Sequence, residues 1–199
     1  MLSQLLRSVL FSTLFLATAF GQAAASSPTF SKTPKDMHGL MIYGDGFLIL
    51  ASEPEGWDTD TDAIALKYQS NAVFFPRNQA SRSHHVNIRI RLNRKTTEEP
   101  REDMDADVSG YKKQYPAAQF SALKIDHPEY RSSAKLFFTP GDYYEYVAYL
   151  NPGAEHSLMF SITMSKEKVS ATTAELAALE HILRSLRLVC TSKTKAGQR

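Results

Sequence analysis

A chain of 199 residues, 43% hydrophobic and 22% charged, has the length of about one domain and enough apolar content to build its own core. Its net charge of +2 lacks the strong basic excess of a nucleic-acid binder, so no nucleic-acid partner is expected. Cys190 is the single cysteine, which excludes an internal disulfide.

Met1–Ser8 carries one positive charge, at Arg7. Val9–Phe20 is an apolar run shorter than the roughly 20 residues that span a bilayer. Small residues follow in Gly21-Gln22-Ala23-Ala24-Ala25. This three-part layout reads as a cleavable secretory signal over residues 1–25, cut after Ala25, with Ala23 as the rival position. No cysteine stands at the cut, so a lipid-anchored precursor is not expected. The expected mature protein is exported, periplasmic or secreted. Cleavage removes only Arg7 among the charged residues, and no second apolar stretch is long enough to span a membrane. In an oxidising compartment the Cys190 thiol is either buried and inert or free to pair between chains. No neighbouring His or Cys lowers its pKa, which favours the inert reading.

Residues 26–39, polar and interrupted by Pro28 and Pro34, read as a disordered lead-in, and 40–190 as a single domain. Met41-Ile42-Tyr43 and Phe47-Leu48-Ile49-Leu50 flank Gly44-Asp45-Gly46, a hairpin signal. Glu53–Asp58 is rich in turn residues. Ala72-Val73-Phe74-Phe75 is a short strand ended by Pro76. In Val86–Leu92 the residues Val86, Ile88, Ile90 and Leu92 alternate with Asn87, Arg89 and Arg91, the pattern of a strand with one buried side. Pro100–Tyr115 places Met104, Val108, Tyr111 and Tyr115 on one helical stripe, with acidic residues at its start and Lys112 and Lys113 near its end. Gly110 weakens that helix, and Pro116 stops it. Four more strands are predicted, at Gln119–Ile125, Ala134–Thr139, Tyr143–Leu150 and Leu158–Met164. Thr172 and Glu175 form a capping box before a helix whose apolar face is Leu176, Leu179, Ile182, Leu183 and Leu186. Residues 191–199 are a polar tail. The class is α+β: a mainly antiparallel sheet of about seven strands with two long helices, in a layered α/β/α sandwich.

Phe47-Leu48-Ile49-Leu50 followed by Pro54-x-Gly56-Trp57 resembles the opening strand and Trp turn of the PsbP-like superfamily. The close is similar too: strands at Tyr143–Leu150 and Leu158–Met164, then a terminal helix ending Arg184-Ser185-Leu186-Arg187-Leu188. The superfamily spans a photosystem accessory protein, a Ran-binding import factor and bacterial envelope proteins. The resemblance therefore implies the fold and a non-enzymatic accessory or binding role, and it transfers no functional residue.

Arg89 and Arg91 share a strand face, with Arg77, Arg82 and Arg94 nearby in sequence. They read either as the wet side of a half-buried strand or as a patch for a small anionic ligand. Tyr144 and Tyr146 face one way on their strand, and Tyr143 and Tyr149 the other. They serve packing or form a binding wall, and Trp57 is either a packing anchor or part of that wall. The run Asp58-Thr59-Asp60-Thr61-Asp62 opens like a calcium loop, but Ala63 and Gln69 stand where Gly and an acidic residue are needed, so it reads as a solvated turn. His84 and His85 are adjacent, so on a strand they point to opposite faces, and His38, His127, His156 and His181 are scattered. No metal site is expected. No Gly-x-Ser-x-Gly, His-Glu-x-x-His or Gly-rich phosphate loop is present. The expected function is that of an exported, non-catalytic accessory or binding protein without a cofactor. Its partner is an unknown envelope protein or a small anionic ligand. The alternatives are a small exported hydrolase with dispersed residues and a subunit of an envelope complex.

Overall fold

The hairpin signal near residue 45 produces a tight antiparallel pair. Strands β1 (Gly39–Gly44) and β2 (Phe47–Ser52) run with Gly44 opposite Phe47, and Gly46 sits at φ +79°, which glycine adopts without steric cost. The computed structural model describes residues 39–44, 46–77, 86–141 and 143–190. The signal segment, the lead-in up to residue 38, the tail, His84, His85, Arg82 and the Cys190 side chain lie outside this description.

The turn-rich stretch ends sooner than expected. Trp57–Asp60 forms a strand, β3, along β4 (Ala72–Pro76), with Trp57 opposite Pro76. A short helix, α1 (Ala63–Lys67), follows. Asp60 starts it: its Oδ1 accepts backbone N–H bonds from Asp62, Ile64 and Ala65 at 3.0, 2.9 and 2.9 Å. The acidic run is therefore strand and capping chemistry in place of a loose turn, and Asp58 is paired with Arg77 at 2.7 Å.

The remaining strands are β5 (Val86–Arg94), β6 (Gln119–Ala122), β7 (Arg131–Phe138), β8 (Tyr143–Asn151), β9 (Leu158–Glu167) and β10 (Arg187–Cys190). Seven strands form a wholly antiparallel sheet in the order β3-β4-β5-β9-β8-β7-β6. A second sheet has the order β1-β2-β10. Among the described residues two long helices complete the fold, α2 (Pro100–Gln114) and α3 (Thr173–Ser185). The α+β class expected from the sequence is the one observed.

The terminal helix ends earlier than its apolar spacing suggests. Leu186 is already extended, and Arg187–Cys190 pairs with β2, Leu188 opposite Ile49. At the other end both halves of the predicted capping box form: Thr172 Oγ1 accepts the Glu175 N–H at 3.2 Å, and the Glu175 carboxylate accepts the Thr172 N–H at 2.7 Å.

Alternation divides the large sheet into two unlike faces. One carries Ile88, Ile90, Tyr146, Ala148, Leu150, Phe160, Ile162 and Met164, buried with Leu179, Ile182 and Leu183 of α3 and with Ile49 of the small sheet. This is the main core. The opposite face carries Asn87, Arg89, Arg91, Glu145, Ser161, Thr163 and Ser165, and α2 lies on its β7–β8 half. There Met104 meets Phe137 and Val147 in a smaller cluster. Among the described residues no helix is long and apolar enough to cross a membrane.

Candidate functional site

Helix α2 covers β7 and β8 but leaves the polar strip of β5 and β9 uncovered beside it. The result is a groove with two adjoining lobes of ≈ 380 Å³ each, sharing Arg89, Tyr111, Gln114 and Glu145. The first lobe adds Arg91, Asp107, Ser161 and Thr163; the second adds Tyr68, Asn87, Tyr115, Tyr143 and Glu167. Each lobe has the size of a small-molecule site. Sheet register sets the floor in rows. Asn87, Ser165 and Glu145 form one row across β5, β9 and β8; Arg89, Thr163 and Val147 the next; Arg91, Ser161 and Tyr149 the third. Successive rows on one face lie about 7 Å apart.

Both arginines are largely shielded and only partly paired. Arg89 Nη2 donates to Ser165 Oγ at 2.5 Å and to Glu145 Oε1 at 3.4 Å, and its guanidinium lies 5.5 Å from the Tyr68 ring centroid. Arg91 Nη2 donates to the Tyr68 carbonyl at 2.6 Å. Burial pulls the Arg89 pKa down, Glu145 opposes that shift, and the Arg91 charge reinforces it. An arginine nevertheless keeps its proton. Arg89 Nε, Arg91 Nε and Asn87 Oδ1 are buried and have no hydrogen-bond partner among the described residues. A buried polar atom left without a partner costs about 1–3 kcal/mol, so three in one groove mark a place built for something besides stability.

The α2 wall is tied down by Tyr149, whose hydroxyl donates to Asp107 Oδ2 at 2.6 Å. Burial comes first in raising the Tyr149 pKa, with the Asp107 carboxylate adding to it, so the phenol stays protonated and donates. Tyr111 packs edge-on against Phe137, ring centroids 5.2 Å apart, and its hydroxyl meets Thr139 Oγ1 at 2.9 Å.

Of the five candidates from the sequence, the groove gathers Arg89 and Arg91. Tyr144 and Tyr146 point to the opposite face. Tyr146 is 4% exposed in the main core with its hydroxyl accepting the Ala171 N–H at 2.8 Å, and Tyr144 packs on Phe138. Trp57 is also a core residue. Tyr143, with Tyr149's neighbour Asp107, belongs to the arginine face. Tyr68, Asn87, Tyr111 and Glu145 escaped the sequence reading. Asn87 carried a signal, since it alternates in phase with both arginines. Arg77 bonds to Asp58 and to the Trp57 carbonyl, away from the groove.

No histidine lines either lobe among the described residues. His127 is structural: its Nδ1 accepts the N–H groups of Glu129 and Tyr130 at 3.0 and 2.8 Å, which leaves Nε2 to donate to the Leu186 carbonyl at 3.1 Å. Among the described residues no group of three or more His, Cys, Asp or Glu side chains converges to hold a metal ion.

These features define an antiparallel α+β sandwich with a polar groove beside one helix. The chain is similar in fold to the solution structure of cyanobacterial PsbP (CyanoP) from Synechocystis sp. PCC 6803, with 13% identity and a TM-score of 0.44, over 82% of this chain and 100% of that one. Nothing about family or function is drawn from this likeness. No protein-family model matches the chain. No curated protein matches it.

Proposed function

We propose that this chain is an exported, non-catalytic binding protein of the cell envelope, and that the groove beside α2 takes a small anionic ligand on Arg89 and Arg91. The observation that carries the reading is the pair of shielded guanidiniums on one strand face, each with an unpartnered Nε, opening on a cleft of small-molecule size. The Met1–Ala25 segment, with its charged start, apolar centre and small-residue end, supports export.

Isothermal titration of the purified protein with acetate, benzoate and inorganic phosphate tests the anion site. At least one should bind, and the Arg89→Met and Arg91→Met variants should each lower its affinity tenfold or more while keeping the cooperative melt. Equal affinity in wild type and both variants would refute the assignment. N-terminal sequencing of the native protein tests export: a start at Ser26 or Ala24 is expected, and recovery of Met1 from the cytosol would refute it.

A further inference from the structure

The groove holds charges of both signs, and this narrows what can occupy it. In the first lobe Arg89 and Arg91 stand with Asp107 and Glu145. In the second, Arg89 stands with Glu145 and Glu167, while Lys166 Nζ turns to Glu175 of α3 at 2.6 Å. A polyanion would gain from the guanidiniums but meet carboxylates within the same lobe, and like-charge approach in a confined site is repulsive. A ligand carrying both signs gains from both sets.

We infer that the ligand is a zwitterion of amino-acid type, with one carboxylate and one protonated amine on a small body; the inference rests on the anion reading above. The Arg89 and Arg91 rows supply donors for the carboxylate. The adjoining row supplies acceptors: Asn87 and Glu145 flank Ser165 across three strands. Asn87 is 6% exposed, lines the groove, and its Oδ1 lacks a partner. Glu145 receives both Arg89 and Ser165 on Oε1, which leaves Oε2 to accept a further N–H. Arg89 Nη2 already holds Ser165 Oγ at 2.5 Å, so an ammonium in this row sits at the open Glu145 Oε2. The Arg89 guanidinium reaches from its own row to Ser165 and Glu145, so a carboxylate bound to it lies beside an ammonium on Glu145, the spacing of an amino acid. The rings of Tyr68, Tyr115 and Tyr143 give the body of the ligand an apolar wall with polar tips.

Titration calorimetry of the full-length protein with the twenty common L-amino acids, their N-acetyl derivatives and their carboxamides tests this. At least one free amino acid should bind tenfold or more tightly than both of its blocked forms. In Asn87→Leu and Glu145→Gln the preference for the free over the N-acetyl form should fall to less than threefold, with the melting transition retained. In Arg89→Met the preference for the free form over the carboxamide should fall likewise. N-acetyl forms binding as tightly as the free amino acids would overturn the zwitterion while leaving the anion site standing. Failure of every carboxylate, free or acetylated, at millimolar concentration would overturn both. Loss of binding in the Asn87 and Glu145 variants without a change in the free-to-acetyl ratio would assign those residues to the architecture of the groove and overturn the inference.

Discussion

Replacing Met104 by alanine should loosen the helix that forms one wall of the groove. Met104 has no exposed surface and is the buried anchor of α2 against Phe137 and Val147. The change removes three side-chain heavy atoms, worth about 2.4 kcal/mol at ~0.8 kcal/mol for each methylene equivalent. A residual cavity raises this, and measured Met→Ala changes in cores run about 2–5 kcal/mol, so a loss of roughly 2.5–4 kcal/mol is expected. The helix also packs Val108 and Tyr111 into the same cluster. Its links to the sheet include Lys135–Asp105 at 2.8 Å, Arg131–Glu99 and the Tyr149–Asp107 hydrogen bond. Exposed ion pairs of this kind add little. Urea denaturation should report the stability loss. Hydrogen exchange should show α2 amides at least about 60-fold faster than in the wild type, since every 1.4 kcal/mol is tenfold. A loss below about 1 kcal/mol, outside the range for a buried methionine, would refute the account of how α2 is held.

Gly110→Ala should act in the opposite direction. A Cβ at Gly110 meets no atom within 4 Å, so relief of the glycine penalty should stabilise the helix by about 0.5–1 kcal/mol, read as a raised melting midpoint. Thr172→Ala should cost about 1 kcal/mol in urea denaturation, because the first turn of α3 loses its cap; an unchanged midpoint would contradict the capping role. His127 should make the fold acid-sensitive. Burial chiefly lowers its pKa; the Leu186 carbonyl opposes that shift and the Arg187 charge adds to it. The unfolded chain therefore takes up this proton first. The His127 contribution is intact above its ordinary value of 6.5 and is lost as pH falls through 6.5 towards the lower folded value. The urea midpoint of the wild type should drop between pH 7.5 and pH 5.5, and His127→Gln should flatten that slope; equal slopes in the two proteins would contradict the linkage.

Local signals account for much of the fold. The alternation of Val86–Leu92, the stripe from Met104 to Tyr111 and the Thr172–Glu175 box depend on neighbours in sequence, and the structure follows each of them. What stayed hidden depends on distant pairing. Leu186 and Leu188 continue an apolar pattern that suits a helix, yet the partner strand β2 lies more than a hundred residues upstream and draws Arg187–Cys190 into a sheet. Parity on β8 correctly separated Tyr144 and Tyr146 from Tyr143 and Tyr149. Which pair joins the arginines is decided by the β5–β9–β8 register, which no local pattern encodes. The same register places Glu145 in one row with Asn87, 58 positions apart in sequence, and so builds the acceptor side of the groove. Asp60, in a run that reads as a solvated turn, is engaged by the backbone N–H groups of Asp62 and of Ile64 and Ala65 in α1.

The central claim is that the groove beside α2 is where this protein binds. Nitrogen-15 NMR titration with the amino-acid panel locates any contact residue by residue. The account predicts concentration-dependent shifts at Asn87, Arg89 and Arg91 on β5, Glu145 on β8 and Tyr111 and Gln114 on α2, with the β1-β2-β10 sheet unmoved. Shifts confined to that small sheet, or none with any member of the panel, would contradict it.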